Sequence, residues 1–375
     1  MRLLYGVQAT GNGHISRARA MAAQLRRHGV KVDFLFSGRC RQALFDMDCF
    51  GNFAWRRGLT FVSHAGKINY WQSARSNSLR QLWQDQQQLN TTPYDLVLTD
   101  FEPVTAWAAR RQGTPCIALG HQYAFLHSIP KQHDSLLSRQ IFRLFAPAEL
   151  QLGLHWHHFG AQNTIAPPIL DLPATANDAE VIANKVLVYL PFEDQKLVYQ
   201  LLKPLSGYQF VIFAPGLNRR DEGHLHFYPP CHQGFKQQLA SADAVLSNAG
   251  FELISEALQL KKKILVKPLQ GQMEQESNAL ALEQLQLAHQ CKTLSTELIA
   301  NWLAGSRALQ QVLYPDVAAA LCAQLVSKVG LGVINNNTGF NKTRIPGFEV
   351  TALWQQSRFL RPDLLPKGLA EQNGA

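Results

Sequence analysis

The chain has 375 residues, of which 46% are apolar and 17% charged, and its formal net charge is +9. This length predicts roughly two domains, and this composition excludes a chain that is disordered over most of its length. No stretch approaches the ~20 apolar residues of a membrane-spanning helix, and the N-terminus lacks a signal-peptide pattern, so we expect a cytoplasmic protein.

Strands and helices alternate in the first half of the chain. The predicted strands are Arg2–Val7, Lys31–Phe36, Asp95–Thr99 and Pro115–Leu119, and the predicted helices run from Ile15 to about His28 and over Pro103–Gln112. Alternation of this kind predicts a parallel sheet that is covered by helices on both faces.

A glycine-rich turn, Gly11-Asn12-Gly13-His14, joins the first strand to the first helix. Ser16 stands where a dinucleotide-binding fingerprint needs its third glycine, which disfavours a nicotinamide site, and the absence of a following Gly-Lys-Ser/Thr excludes a P-loop. The turn instead places His14 at the end of the first strand, where its imidazole could take a proton from a hydroxyl group. The alternative is a capping or solvent-exposed histidine.

Other polar residues follow strands of the same predicted sheet. Ligands of doubly wound folds bind at the carboxyl ends of the strands, so we expect residues at this edge to face an acceptor. The candidate acceptor-side residues are Gly11, Gly13, Arg17, Asp100, Glu102, His121 and Gln122. For Asp100 the alternatives are orientation of His14, contact with the acceptor, or capping of the helix that follows.

The segment Leu136–Phe145 (LLSRQIFRLF) has apolar residues on one side and arginines elsewhere. The favoured interpretation is a helix that packs on the sheet, and the alternative is a basic amphipathic helix that contacts an anionic membrane surface.

We predict no metal site and no cofactor. The six cysteines have no metal-ligand spacing and are expected to be reduced thiols. No acid or cysteine lies near the histidines of His155–Phe159 (HWHHF), which we interpret as an interdomain packing strand. The two acids of Asp46-Met47-Asp48 have the spacing of a metal-binding motif, but they follow a helical pattern in the basic half, and we expect a solvated loop there.

The chain changes character near residue 163, where prolines and small polar residues predict a linker over 166–184. A second α/β set follows. Its predicted strands are Lys185–Leu190, Gln209–Ala214, Ala244–Ser247 and Lys263–Val266, and its predicted helices are Gln195–Leu202, Gly234–Ala240 and Phe251–Leu258. We predict one domain over 1–165, a second over 185–330, and a tail over 331–375 with a helix around Glu349–Phe359. Two such domains would face each other across a ligand cleft.

All of the excess positive charge lies in residues 1–165, whose balance is +9, whereas residues 166–375 are balanced. A basic half joined to a neutral half predicts two domains with different ligands. Because no nucleic-acid-binding signature is present, we expect the partner of the basic half to be an anionic acceptor, or an anionic membrane surface, and not nucleic acid.

The strongest pattern of the second half begins where a predicted strand ends at Ser247. The turn Asn248-Ala249-Gly250 opens a helix at Phe251, so free backbone N–H groups and the helix dipole would suit a diphosphate. Glu256, further along the helix, could accept hydrogen bonds from the vicinal hydroxyls of a ribose. The loop after the next strand carries side chains that suit sugar hydroxyls, namely Gln272, Glu274, Gln275 and Asn278.

Ala249-Gly250, Glu256, Pro268, Glu274-Gln275 and Asn278-Ala279 together resemble the donor-site signature of the GT-B glycosyltransferases that use UDP-sugars. The pattern looks most like the UDP-N-acetylglucosamine transferases that form peptidoglycan and their microbial relatives. Gly11–His14 is similar to the TGGH-type loop of this family, whose histidine is a candidate base. The resemblance covers about residues 1–330.

The resemblance implies a GT-B fold, in which two Rossmann-like parallel-sheet domains face a cleft and a tail helix returns to the first domain. It implies that Glu256 holds the ribose, that Ala249, Gly250 and Phe251 hold the diphosphate, and that Glu274 and Gln275 hold the sugar. The stretch His224–Tyr228, with His226, falls where the family recognises the base. Glu193 and Asp194 depart from the pattern, since the family has a glycine-rich phosphate loop there.

The resemblance also implies an activity. The chain is expected to move a sugar from a UDP-sugar to a hydroxyl of a lipid-linked or cell-envelope glycan acceptor, at the inner face of the membrane. His14 is the expected base of an inverting displacement that needs no metal. The alternatives are a UDP-sugar epimerase of the same fold and a non-catalytic protein that binds nucleotide-sugars.

Overall fold

The computed structural model describes residues 1–59, 63–64, 67–68, 78–134, 136–305, 310–331, 345–361, 364–366 and 369. Within these ranges the chain forms two seven-stranded sheets and two short antiparallel pairs. The α/β fold class predicted from the sequence is confirmed.

The first half contributes nine strands, which are β1 (Arg2–Gln8), β2 (Lys31–Ser37), β3 (Ala54–Trp55), β4 (Ser63–His64), β5 (Lys67–Ile68), β6 (Leu96–Asp100), β7 (Cys116–Gly120), β8 (Leu150–Leu154) and β9 (Ile165–Ala166). Its helices are α1 (Asn12–Arg27), α2 (Leu79–Gln88), α3 (Pro103–Gln112) and α4 (Leu136–Phe145). Apart from the β4–β5 pair, the strands form one sheet in the order β3-β2-β1-β6-β7-β8-β9, with every pairing parallel.

The second half contributes β10 (Lys185–Tyr189), β11 (Gln209–Phe213), β12 (Arg220–Glu222), β13 (Leu225–Tyr228), β14 (Ala244–Ser247), β15 (Lys263–Val266), β16 (His289–Gln290), β17 (Val312–Leu313) and β18 (Arg358–Phe359). Its helices are α5 (Gln195–Leu202), α6 (His232–Ser241), α7 (Phe251–Gln259), α8 (Met273–Gln284), α9 (Thr296–Ala304), α10 (Val317–Gly330) and α11 (Thr351–Gln356). The second sheet has the order β12-β13-β11-β10-β14-β15-β16, and only β12 is antiparallel.

The central strands of both sheets are apolar along their whole length because both of their faces are covered. Every residue of β6, β7, β14 and β15 is buried. A parallel strand that is covered by helices on both sides has no polar face, so its sequence is a continuous apolar run. This explains why the sequence alone locates these strands to within one or two residues.

Each sheet reverses its strand order at one place. In the first sheet the reversal lies between β1 and β6, and in the second it lies between β10 and β14. A crevice opens at such a point because the two following helices go to opposite faces of the sheet, and ligands of doubly wound folds bind there. The glycine turn after β1, Asp100 at the end of β6, and the turn that follows Ser247 in β14 all lie at these points.

The two halves are in contact through several buried groups. The indole of Trp156 donates to Ser255 Oγ at 2.8 Å, and the hydroxyl of Tyr314 donates to the carbonyl of Trp156 at 3.0 Å. From the tail, the indole of Trp354 in α11 donates to the carbonyl of Ile165 at 2.6 Å. The helix expected around residues 349–359 is therefore present over Thr351–Gln356 and contacts the first half.

The segment His155–Phe159 is buried but does not form the predicted strand. Strand β8 ends at Leu154, and the chain turns at Phe159 and Gly160, where φ is 47° and 87°. Trp156 and the three histidines are all buried, whereas a strand would point successive side chains to opposite faces. The predicted packing between the halves is correct, and the predicted strand is wrong.

Candidate functional site

His14 is held at the reversal point of the first sheet by Asp100. Its Nδ1 atom lies 2.7 Å from Oδ1 of Asp100, whose side chain is completely buried. Nη2 of Arg17 also lies 3.0 Å from this Nδ1 atom. Because an ionised carboxylate only accepts hydrogen bonds, the shorter contact with Asp100 favours the imidazole proton on Nδ1 and the lone pair on Nε2. Nε2 has no hydrogen-bond partner in the part of the chain that the structure describes. The geometry gives His14 the orientation of a base.

Arg17 completes this pair from the same face of α1. Its guanidinium donates from Nε to Oδ2 of Asp100 at 2.7 Å and from Nη2 to Oδ1 at 2.6 Å. Burial by itself would raise the pKa of Asp100, but the charges of Arg17 and His14 outweigh burial and lower that pKa. Asp100 therefore stays ionised and orients His14, and it does not cap the helix that follows.

Arg17 also reaches the second half. Its Nη1 atom donates to the carboxylate of Glu252, which lies in the first turn of α7. A Cβ atom at Gly13 would overlap the same carboxylate, whereas a Cβ at Gly11 would meet nothing within 4 Å. The absence of a side chain at Gly13 thus lets the two halves approach each other at this point.

Glu102 caps α3 and does not face an acceptor, so its predicted role is wrong. Its Oε1 accepts hydrogen bonds from the N–H of Val104 and the hydroxyl of Ser37, and its Oε2 accepts from the N–H and the hydroxyl of Thr105. Burial raises the pKa of this carboxyl group, and the four hydrogen bonds oppose that rise. Both oxygens are fully used within the fold.

His121 and Gln122 touch residues that the sequence assigned to the donor. The Nε2 atom of His121 lies 2.7 Å from Oδ1 of Asn278, and its ring stacks on Phe251 with centroids 4.0 Å apart. The amide of Gln122 donates to Oε2 of Glu274 at 3.1 Å. The predicted acceptor-side and donor-side residues therefore meet at the facing edges of the two sheets.

The turn after β14 leaves the N-terminus of α7 without a side-chain cap. Its N-cap residue is Gly250, and among the described residues no side chain bonds to the first N–H groups of the helix. Asn278 donates from Nδ2 to the carbonyl of Ala249 at 3.0 Å, and Asn248 donates to the carbonyl of Lys267 at 2.9 Å. These bonds fix a turn whose free N–H groups suit an anion.

The loop before α8 and its first turn are held by their own side chains. Gln275 accepts the N–H of Leu269 at 2.9 Å through Oε1, and Gln272 is the N-cap residue of α8. Burial raises the pKa of Glu274, and this rise is opposed by its interactions with His14, Gln122 and Arg17. Gln275 thus supports the loop, while Glu274 lies in the same electrostatic environment as the candidate base.

Three amide oxygens of the site are buried and lack a hydrogen-bond partner among the described residues. They belong to Gln122, Asn248 and Gln272. Buried polar atoms in proteins are almost always paired, so these three acceptors are available to donor groups from outside the chain.

Glu256 lies in the interior of the second half, where Lys236 of α6 donates to its Oε1 at 2.5 Å. Burial is the largest influence on Glu256 and raises its pKa to about 7, in spite of the opposing charge of Lys236. Lys236 also approaches Asp171 at 3.7 Å, and Asp171 contacts His232 at 2.7 Å. The residue expected to bind ribose is therefore part of a buried charge cluster.

Glu193 and Asp194 have structural partners. Lys267 donates to Oε1 of Glu193 at 2.7 Å, and Asp194 caps α5 by accepting the N–H of Lys196 at 2.8 Å. The first acid is thus neutralised and the second is engaged at a helix start, which explains how two acids fit where the family has a glycine-rich loop.

His226 does not lie at the edge where the donor residues meet. Its ring contacts Asp221 at 2.7 Å and Gln209 at 3.1 Å, and Gln209 begins β11 at the amino end of the sheet. Strand β13 is also paired on both sides, which engages its backbone groups. These contacts occupy the ring within the second sheet, and the contact of His226 with the donor stays a prediction.

Two residues of the site were missed in the sequence. Glu252 precedes Glu256 by one turn of α7 and points toward Arg17, and Lys236 is a buried charge in α6. A lysine on the buried face of a helix was the available signal for the second. No sequence signal indicated which residue of the first half would face Glu252.

The two acids of Asp46–Asp48 are exposed, as expected of a solvated loop, but the segment is also held in place. Met47 is buried, and Asp46 accepts the N–H of His232 at 2.6 Å, which ties this segment to α6. Across the described ranges, no group of three or more His, Cys, Asp or Glu residues is arranged to hold a metal ion. Within the same ranges, no helix combines the length and apolarity needed to cross a bilayer.

A family model described as glycosyl transferase family 1 matches residues 1–305. Among solved structures, UGT89C1 of Arabidopsis thaliana, crystallised with UDP, is 14% identical with a TM-score of 0.56 over 88% of this chain and 96% of that one. MurG of Acinetobacter baumannii is 16% identical, with a TM-score of 0.53 over 88% of this chain and 98% of that one. SnogD of Streptomyces nogalater is 17% identical, with a TM-score of 0.52 over 88% of this chain and 96% of that one.

At these identities the solved structures show the fold, and they confirm the predicted GT-B arrangement of two mostly parallel sheets. Comparison with curated proteins gives no significant match.

Proposed function

Because the chain belongs to glycosyl transferase family 1, we propose that it transfers a sugar from a UDP-sugar to a hydroxyl of a lipid-linked or cell-envelope glycan acceptor. The observation that carries this proposal is the His14–Asp100 pair, which lies at the edge of the first sheet that faces α7. We also propose the division expected from the sequence, with a domain over 1–165, a linker over 166–184 and a domain over 185–330.

In the proposed reaction Nε2 of His14 takes the proton of the acceptor hydroxyl. The hydroxyl oxygen attacks the anomeric carbon, the bond from that carbon to the diphosphate oxygen breaks, and UDP leaves with the electron pair. A single displacement inverts the configuration at the anomeric carbon. Asp100 supports this step because it stabilises the imidazolium that forms.

The leaving diphosphate is assigned to the turn Asn248–Gly250 and the N-terminus of α7. Free N–H groups and the helix dipole stabilise the negative charge that develops there, and this arrangement does not require a metal ion. The repulsion from the two nearby acids is reduced, since Lys267 pairs with Glu193 and Arg17 donates to Glu252.

The sugar and the ribose are assigned to groups on either side of this turn. Glu274, Gln122 and Gln272 offer acceptor oxygens to sugar hydroxyls, and two of these oxygens are buried without a partner among the described residues. The resemblance to UDP-sugar transferases supports Glu256 as the group that holds the ribose. In that role the charge of Lys236 would lower the pKa of Glu256 and so favour the carboxylate form.

Contact with an anionic membrane surface is proposed from the outer face of α2, α3 and α4. Leu79, Trp83 and Ile141 are 73%, 60% and 49% exposed. Helix α3 contacts α4, because the indole of Trp107 donates to the carbonyl of Leu144 at 3.2 Å. Arg110, near the end of α3, is exposed. Exposed apolar side chains beside arginines are typical of a surface that docks on anionic lipid.

A donor panel tests the proposed reaction. The protein is incubated with several UDP-sugars, with and without a cell-envelope lipid extract, and release of UDP is measured. We expect one UDP-sugar to release UDP in the presence of the extract. An epimerase would interconvert the UDP-sugars without releasing UDP, and a pure binding protein would leave them unchanged.

Calorimetric titration with UDP tests the donor site. Loss of a hydrogen bond to a charged group costs about 1.5–3 kcal/mol, so Glu256→Ala should weaken UDP binding roughly tenfold to a hundredfold. Glu297→Gln, which changes an exposed acid of α9, is the matched control. Unchanged affinity in Glu256→Ala would remove Glu256 from the donor site.

Vesicle co-sedimentation tests the membrane surface. Binding to anionic vesicles should fall steeply as salt rises, because exposed charges are screened beyond about 10 Å at 0.1 M salt. At a given salt concentration, Trp83→Ser should bind these vesicles less than the unmodified protein does. Equal binding to neutral and anionic vesicles would contradict the proposed contact.

A further inference from the structure

Asp100 is completely buried, and its carboxylate is shared by two groups of helix α1. We propose that Arg17 is a positioning residue that keeps Asp100 ionised and so holds His14 with its ring proton on Nδ1. This inference rests on the proposed role of His14 as base. It assigns to Arg17 a function in the reaction without any contact with the acceptor or the donor.

The geometry of Arg17 supports this assignment. Its side chain is 1% exposed, and it follows His14 by three residues, so both lie on one face of α1. Its Nε and Nη2 atoms bind the two oxygens of Asp100 at 2.7 and 2.6 Å as a planar fork. Such a bidentate pair fixes the orientation of a carboxylate as well as its charge.

The charge of Arg17 decides where the proton of His14 lies. A buried carboxylate without a counter-charge takes up a proton. Without Arg17, Asp100 would end with a proton of its own and donate a hydrogen bond to Nδ1 of His14. Nδ1 gives its proton to the carboxylate and Nε2 binds one from solvent, so that one proton is taken up in total and the ring stays neutral. A protonated Nε2 has no lone pair and cannot accept the proton of a hydroxyl.

The other charged groups that the structure describes around this pair offer no substitute for Arg17. Glu252 and Glu274 are both acids, and each adds negative potential near Asp100. The remaining Nη1 atom of Arg17 donates to Glu252. The alternative is therefore that Arg17 only links the two halves and has no effect on His14. The two roles differ in what they predict for Glu252→Gln.

The test is nitrogen NMR of the full chain labelled with ¹⁵N-histidine, at pH 7.5 and without any ligand. The chain has 13 histidines, and the spectrum of His14→Asn identifies the signals of His14. The ring ¹⁵N shifts show which nitrogen carries the proton. The variants are Arg17→Met, Glu252→Gln and, as the matched control, Arg27→Met, which changes an exposed arginine of α1.

We expect the Nδ1–H form in the unmodified protein, in Glu252→Gln and in Arg27→Met, and the Nε2–H form in Arg17→Met. Retention of the Nδ1–H form in Arg17→Met would overturn the proposal, and so would its loss in Glu252→Gln. Where Arg17→Met does not fold, the double variant Arg17→Met/Glu252→Gln lacks the unpaired Glu252 carboxylate and decides between the same two outcomes.

A kinetic measurement links the tautomer to the reaction. Arg17→Met should lower kcat for transfer about 10²–10⁴-fold, the range of general base catalysis, while the affinity for UDP stays within twofold. Failure of the proposed function would look different. In that case the tautomer would change in Arg17→Met, but His14→Ala would have no effect on the activity that the protein does possess.

Discussion

His121 at the end of β7 and Asn278 in α8 are joined across the two sheets, with Nε2 of the histidine 2.7 Å from Oδ1 of the asparagine. Asn278 also holds the carbonyl of Ala249, and the ring of His121 stacks on Phe251. One residue of the first half therefore supports the turn that is assigned to the diphosphate. Burial lowers the pKa of His121 to about 4.

This pKa predicts how stability changes with pH. Between pH 6.5 and about 4 the unfolded chain binds a proton at His121 that the folded protein excludes, so stability falls as pH falls through this window. At pH 5 the loss from His121 is about 2 kcal/mol. Urea unfolding at pH 7 and pH 5 measures it, and His121→Gln should lose about 2 kcal/mol less than the unmodified protein. Equal losses in both proteins would contradict the assignment.

The cap of α3 predicts a change in stability without a change in the reaction. Glu102→Ala removes the acceptor of four hydrogen bonds at the start of this helix, and loss of an N-cap costs about 0.5–2 kcal/mol. Chemical unfolding measures this cost, and Asp194→Ala, which uncaps α5, is the control. We expect an unchanged KM for the acceptor below the unfolding transition. If Glu102→Ala were as stable as the unmodified protein but had a raised KM for the acceptor, Glu102 would belong to the acceptor site after all.

The buried Lys236–Glu256 pair predicts a pH-dependent loss of stability in Lys236→Met. The raised pKa of Glu256 means that the folded state holds a proton that the unfolded chain releases, so its contribution is lost as pH rises through about 7. Removal of Lys236 raises this pKa further. Breaking such a pair costs about 3–5 kcal/mol when the remaining charge stays ionised.

Urea unfolding at pH 6 and pH 8 measures this effect. Lys236→Met should be less stable at pH 8 than at pH 6, and the double variant Lys236→Met/Glu256→Gln should recover most of the loss. A single variant that is equally stable at both pH values would show that Glu256 is already ionised in the folded protein at pH 6, and would contradict its raised pKa.

The sequence predicts the parts of this site that depend on one sheet. His14 and Asp100 both follow apolar strands, and the carboxyl ends of parallel strands meet at one edge, so their proximity follows from the α/β pattern. Glu102 follows the same strand but caps a helix. A carboxylate between a strand and a helix satisfies both descriptions, so the sequence cannot distinguish them.

The contacts between the halves lie beyond the sequence pattern. Arg17 meets Glu252 because α1 packs against α7, and this packing depends on the shape of both surfaces and not on any local spacing. The same holds for Asn12, which stands in place of a family glycine and donates to the hydroxyl of Tyr189 at 3.2 Å. The periodicity of the sequence predicts which side chains lie outside the core, but it does not predict which of them contact each other across the two halves.

The central claim is that His14 of the first half acts as base on a donor held by the second half. The direct measurement compares sugar transfer and UDP affinity in the unmodified protein and in His14→Ala. The account predicts that transfer falls about 10²–10⁴-fold while the dissociation constant for UDP changes less than twofold. Transfer by His14→Ala at the rate of the unmodified protein would contradict the account.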